Sequence, residues 1–273
     1  MTEQFAPGWS GYLSYCLGFG FRYLAVGGGA YLLLHLFFRE RFSRYRIQIP
    51  FPPLRQIFYE IRWSLVTPLC SGAATVLTYE LTRQNLTRMY FDVSLHGWGY
   101  LLFSALVCLV GYDAWIYWQH RWLHTPWLFQ HVHSYHHRVS NPTVFAAFAQ
   151  HPVETLMGNL YFLLFVVLVP VHPFALAAAG AYMFMTAVIA HAGYEFYPSG
   201  FTRNPFVGWI NTSTHHNMHH RFVRCNYGGW FNYWDRWMGT NHALYHETFD
   251  ATRRRATAIA AESDQASLSE AVI

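Results

Sequence analysis

Apolar residues in this chain come in blocks, and the blocks are long enough to cross a bilayer. Five stand out, at residues 12–38, 59–80, 97–119, 153–169 and 174–192. About 20 apolar residues suffice for a spanning helix, and in lipid each such segment must satisfy its own backbone hydrogen bonds. Charged residues make up 12 % of the 273, against about 25 % in a soluble domain. The expectation is an all-α integral membrane protein with about four to five transmembrane helices. The net charge of +4 is small and its basic residues are scattered, which gives no reason to expect nucleic acid. Cys16, Cys70, Cys108 and Cys225 are far apart and show no CxxC spacing, so they read as small buried hydrophobes. No basic region precedes a short apolar core at the N-terminus, so a cleaved signal peptide is not expected.

Topology follows from charge. The arginine-rich stretch Phe38–Arg46 follows the first block, and the positive-inside rule places it in the cytoplasm. Alternation then puts residues 81–96 outside and returns the chain at His120. "VPVHP" joins the last two blocks as a tight proline turn, which makes them a hairpin and brings the chain back near His191. Segments 120–151 and 191–248 therefore share the cytoplasmic side and are expected to form a helical cap. The remainder, 249–273, has few large apolar residues and reads as a flexible tail.

The segments that return to that side carry histidines at helical spacing. His120 and His124 are four apart. His133, His136 and His137 form an HxxHH set, and His216, His219 and His220 form another. Residues three and four apart share a helix face. Protonated imidazoles so crowded would repel; neutral ones need a cation for their lone pairs, and histidine binds metals in its neutral form. With His191 the candidates number nine. A tetrahedral zinc takes about four ligands, so nine suit two metals. Imidazole serves iron, zinc, copper and nickel alike. His35, His96, His172, His242 and His246 lie outside the sets and read as surface, packing or capping residues. His131 and His215 are out of phase with their neighbours, and His151 reads as a helix-end or supporting group.

"YWQHRWLH" (Tyr117–His124), "HSYHH" (His133–His137), "HPVE" (His151–Glu154), "HAGYE" (His191–Glu195) and "HHNMHH…NYGGWFNYWDRWMGT" (His215–Thr240) together resemble the fatty acid hydroxylase/sterol desaturase superfamily, most closely its sterol desaturase-like branch. The resemblance covers about 110–240, in order and spacing. It implies a division into N-terminal transmembrane helices and connectors (1–96), a catalytic domain (97–248) and the tail. It also implies that the nine histidines hold two iron ions. Where some members have a further histidine, this chain has Glu195. Asp113, His151, Glu154, Glu195, His215, Asn226 and Asp235 are then candidates to orient the metal-bound imidazoles from behind.

The reaction implied is O2-dependent hydroxylation or desaturation of an unactivated C–H bond in a lipid: a sterol, a fatty acyl chain or a related molecule. Two electrons per turnover are needed, and no GxGxxG, CxxCH or ferredoxin-like cysteine run is present. An external donor is implied, such as a ferredoxin, a cytochrome b5 or a reductase. Arg121, Arg138, Arg221 and Arg224 flank the histidine sets and suit an acidic donor, lipid headgroups or positive-inside anchoring. The aromatic run "WFNYWDRW" suits an interfacial belt. Two other classes compete. A membrane metal transporter wants ligands on both membrane faces, and a haem-anchoring subunit wants isolated histidines facing each other on paired spans.

Overall fold

The computed structural model describes residues 8–270, with side chains as far as 262. Among them the regular structure is helical, joined by three isolated β-bridges. The first helix, α1 (Trp9–Tyr31), runs directly into a π-helical turn, Leu32–Phe37, and a short α2 (Arg39–Ser43) follows. The block at 59–80, expected as one span, is two helices: α3 (Leu54–Ser64) and α4 (Thr67–Arg83). Two features divide it. Pro68 sits in the first turn of α4, where proline is pre-set to start a helix and disfavours continuation through the residue before it. Residues 54–64 also carry Arg55, Gln56, Glu60 and Arg62, too polar to cross lipid.

The long helix α5 (Gly97–Leu123) leads through α6 (Pro126–His131) into two 3-10 turns, His133–Arg138 and Val144–Phe148. Helices α7 (Pro152–Leu168) and α8 (Pro173–His191) form the expected hairpin. Each starts behind a histidine that caps it: His151 accepts from Val153 N at 3.2 Å and His172 from Phe174 N at 3.0 Å. Trp9–Phe37, Gly97–Leu123 and Pro173–His191 are long and apolar enough to cross a membrane; α4 and α7, of 17 residues each, are shorter.

In the bundle α4 lies between α1 and α7, and α5 packs on α7 and α8. Ala105, Ala175 and Ala179 are buried at the α5–α8 contact, where small side chains allow backbones to approach. Gly111 serves the same end against α7, since a Cβ there would collide with the Tyr161 hydroxyl, which donates to Cys108 O at 3.0 Å. The loop after α4 pairs with the α7–α8 turn, with Arg88 N on Val166 O at 2.8 Å and Tyr90 N on Val171 O at 3.2 Å. Those connections close one end of the bundle. All the histidine sets, with α9 (Ser213–Phe222) and α10 (Tyr233–Trp237), lie at the other.

Residues from 249 on, expected as a flexible tail, continue α11 (Tyr245–Glu270) instead. Phe249, Thr252 and Ala256 are buried at helical spacing, and Arg253 Nη1 donates to Glu195 O at 3.0 Å. Alanine and arginine are strong helix formers, so two turns of anchoring suffice to order the stretch. Residues 1–7 and 271–273, parts of the expected first and last segments, lie outside the described residues.

Glu60, fully buried on α3, ties the helix to the cap. It accepts from Gln56 Nε2 at 2.8 Å, Thr143 N at 3.3 Å and the Thr143 hydroxyl. Glu60→Ala leaves those donors without a partner. The expected cost is about 2–4 kcal/mol, read as a lower unfolding temperature and faster amide exchange over residues 141–148. Glu60→Gln, which keeps an acceptor, loses less.

Candidate metal centre

The nine candidate histidines converge, and they do so as two groups. His120, His124, His133, His137 and His219 form one; His136, His191, His216 and His220 form the other. Within each, the donor atoms lie within 4.8 Å of one another. The groups abut, with the rings of His137 and His220 5.2 Å apart and those of His136 and His133 5.4 Å apart.

The division cuts through both HxxHH sets, contrary to the single shared face expected. His133–Arg138 is a 3-10 turn rather than an α-helix. It gives His133 and His137 to the first group and His136 to the second. Helix α9 does the reverse: His216 and His220, one turn apart, enter the second group and His219 crosses to the first. Each set thus gives its outer pair to one group and its inner residue to the other. The end of α5 adds His120 and His124, and the end of α8 adds His191.

Hydrogen bonds behind the rings set the tautomers. Nδ1 of His120 faces Tyr227 O at 2.9 Å, His219 faces Cys225 O at 2.6 Å and His220 faces Val139 O at 2.7 Å. His191 faces Ala187 O at 2.8 Å, His136 faces Ala149 O at 3.2 Å and His133 faces Glu154 Oε2 at 2.9 Å. A carbonyl can only accept, so at the five rings that face one Nδ1 must carry the hydrogen and Nε2 is left as a bare lone pair; an ionised Glu154 does the same for His133. The Nε2 atoms then meet: those of His120 and His133 are 3.0 Å apart, and those of His191 and His216 2.9 Å. His137 and His219 Nε2 also stand 2.9 Å apart. Two ligand nitrogens at right angles about a cation, each about 2.1 Å from it, lie about 3 Å apart. The donor set therefore fits a pair of cations.

Burial, reinforced by neighbouring imidazoles, keeps the cap rings neutral. It pushes His136 down to about 3 and holds His133, His137, His216, His219 and His220 well below the usual imidazole range.

Of the supporting residues expected from sequence, only Glu154 touches one of the nine rings. Gln119 braces it, donating from Nε2 to Glu154 O at 3.2 Å. Asp235 acts one step further out. Its carboxylate accepts from Tyr227 N at 2.8 Å, Gly228 N at 2.7 Å and Thr240 Oγ1 at 2.7 Å, fixing the loop whose carbonyls receive His120 and His219. A Cβ on Gly228 would strike Phe231 O and Asp235 Oδ2, so glycine is required there. Asn226 holds the same loop through His215 O at 2.9 Å, and His215 turns away toward Asn241 and Asp235. Val223, at φ 68°, sits where β-branched residues are strained; it makes the turn that brings Cys225 back under His219.

Two expectations are corrected. Asp113 braces no imidazole; it accepts from Trp230 N at 2.9 Å and Phe231 N at 3.2 Å, pinning the loop wall. Glu195, at the position of an extra family histidine, accepts from Thr214 N at 2.9 Å and Thr214 Oγ1 at 2.7 Å and seats the start of α9. Of its two expected roles, His151 takes the helix-end one, a cap that packs by Trp63 and touches none of the nine rings. The sequence held no signal for the five backbone carbonyls, because any residue can supply one.

Above the imidazoles a cavity of about 300 Å³ rises between α1, α4, α5, α7 and α8. His120, His133, His136, His191 and His216 line one part of it; Phe148, Phe162, Met183, Phe184 and Trp230 are among its apolar walls.

Residues 105–240, which contain all nine histidines, match the family model described as fatty acid hydroxylase. The chain is similar to the Delta(7)-sterol 5(6)-desaturase ERG3B of Gibberella zeae, 30 % identical over 155 residues, 57 % of this chain and 46 % of that protein. It is 31 % identical to lathosterol oxidase of Rattus norvegicus over 183 residues, 66 % of this chain and 60 % of that protein. Methylsterol monooxygenase 1 of the same organism is 32 % identical over 151 residues, 55 % of this chain and 50 % of that protein. The chain thus spans about half to three-fifths of these relatives' length. No solved structure matches it.

Glu154→Ala leaves His133 Nδ1 without its acceptor and is expected to weaken metal retention by roughly 10–100-fold, measured by chelator competition. Asp113→Asn, which keeps an acceptor for the 230–231 loop, is expected to retain metal at the wild-type level.

Proposed function

We propose, from the premise that the chain belongs to the fatty acid hydroxylase/sterol desaturase superfamily, that it is an O2-dependent membrane oxidoreductase that hydroxylates or desaturates an unactivated C–H bond of a lipid. The observation that carries the reading is the five-and-four division of imidazoles, with His120 and His133 of one group and His136, His191 and His216 of the other lining a largely apolar cavity that leads into the bundle. The relatives act on sterols by their names, so a sterol or a similarly rigid lipid is the first candidate substrate. The ligands sit at one end of the bundle, unlike the two-faced arrangement a metal transporter would use, and in close groups, unlike paired haem ligands.

His120, His124, His133, His137 and His219 would hold one iron, and His136, His191, His216 and His220 the other. When bound, the pair supplies the O2-derived oxidising power that an unactivated C–H bond demands. The chain does the rest. Phe148, Phe162, Phe184 and Met183 exclude water and hold the apolar substrate against the imidazole wall. Tyr227, Cys225, Val139, Ala149 and Ala187 keep a proton on Nδ1 of His120, His219, His220, His136 and His191 through their carbonyls, and an ionised Glu154 does so for His133. The Nε2 lone pairs of those rings would then be directed at the metals.

The electrons come from a separate protein, such as a ferredoxin, a cytochrome b5 or a reductase. Arg138, Arg221 and Arg224 are exposed beside the histidine segments and available to an acidic donor. Arg121 is committed elsewhere, lying 5.5 Å from the Trp118 ring. The histidine end faces the cytoplasm on the positive-inside count.

Expression in a host of defined lipid content, followed by comparative lipid mass spectrometry, tests the reading. The expected product carries one added oxygen or lacks two hydrogens, and His136→Ala or His219→Ala abolishes it. An unchanged lipid profile from metal-loaded protein supplied with a reductant, or full activity in either variant, contradicts it.

A further inference from the structure

Helix α3 is built inside out. Its protein side carries Gln56, Glu60 and Ser64 beside Ile57, while Leu54 (69 % exposed), Phe58 (70 %) and Leu65 just beyond its end (42 %) form an apolar stripe on the open side. At about 100° per residue these three fall within a narrow sector, with the exposed Arg55 and Arg62 roughly a quarter-turn away. A helix at a water-facing surface shows the opposite arrangement. The buried polar side is fully engaged. Gln56 Nε2 donates to Asn141 O at 2.8 Å, Tyr59 OH to Tyr135 O at 2.7 Å and Ser64 Oγ to Phe145 O at 2.7 Å.

The level of α3 is fixed by a shared acceptor. Phe145 O also receives Tyr23 OH of α1 at 2.9 Å. Tyr23 lies in the middle of the span-length helix Trp9–Phe37, which exposes Leu17 and Phe21 before that level and Leu24, Leu32 and Leu33 after it. The end of α3 therefore docks alongside a helix long and apolar enough to cross a membrane. The stripe continues into α4, where Leu69 and Leu77 are exposed. Arg22 on α1 and Arg62 on α3 both lie open within two residues of the shared carbonyl contact.

We propose that α3 is a membrane-surface helix whose occupant is the bilayer itself. Leu54, Phe58 and Leu65 lie among the outermost acyl carbons, and Arg55 and Arg62 meet the phosphate layer. The inference stands on packing and does not depend on the oxidative chemistry. It has a consequence for that chemistry, because the carbonyls that α3 holds, those of Tyr135, Asn141 and Phe145, belong to the segment between His133 and the Ala149 carbonyl under His136. The bilayer surface thus sets the height of the histidine segment.

Photo-crosslinking from a benzophenone side chain tests this on the full chain in nanodiscs. Phe58→p-benzoylphenylalanine and, separately, Leu54→p-benzoylphenylalanine are expected to give lipid adducts by mass spectrometry. The same substitution at Glu262, an exposed position on α11, serves as the aqueous control and is expected to give several-fold fewer. Both test side chains are open, so folding is retained. Lipid adducts no more frequent than at 262, or adducts that join two copies of the chain, overturn the proposal.

Discussion

Neutral imidazoles with their lone pairs forced together are the constraint around which this protein is arranged. Each hydrogen bond behind a ring removes one tautomer, and once Nδ1 is committed to a carbonyl or to Glu154, Nε2 has only a lone pair to present. His120 and His133, 3.0 Å apart at Nε2, are strained neighbours without a cation and suitable ligands with one. Burial strengthens the effect, because it disfavours protonation as an alternative escape. The fold therefore presents a donor set suited to metal.

Holding that arrangement takes a chain of supports that runs outward from the rings. Cys225 and Tyr227 supply carbonyls, Asp235 holds the backbone that carries them, and Thr240 closes the other side of Asp235. On the opposite flank α3 clamps residues 135–145, and Thr67 Oγ1 extends the clamp to Phe148 O at 2.8 Å. In an apolar bundle such polar contacts specify position where helix-on-helix packing alone would allow sliding. They sit at the end of the bundle where the cavity meets the imidazoles.

Much of this was legible in the sequence. The apolar blocks gave the helices, and the spacing of His120, His124, His133, His136, His137, His216, His219 and His220 marked the centre. What periodicity could not give was the division of labour. Spacing says that His136 and His137 are adjacent; only the 3-10 geometry of their turn sends them to different groups. Asp113 looked like a brace because it stands two turns before His120, yet its side chain reaches the backbone of Trp230. The block at 59–80 read as one span because mean apolarity hides the break between α3 and α4 and the polar side of α3, where Glu60 and Ser64 are buried. The C-terminal stretch lacked large apolar residues, but Phe249 and Ala256 were enough, since the groove beside α9 needs little to fill it.

The central claim is that the nine histidines form two cation sites rather than one or none. The most direct measurement is the iron-to-chain ratio of iron-reconstituted protein, for the wild type and for a variant with His191→Ala and His220→Ala together. Two irons per chain in the wild type and one in the variant are predicted, because the other group of five imidazoles is left whole. A single iron in the wild type, or an unchanged ratio in the variant, contradicts it.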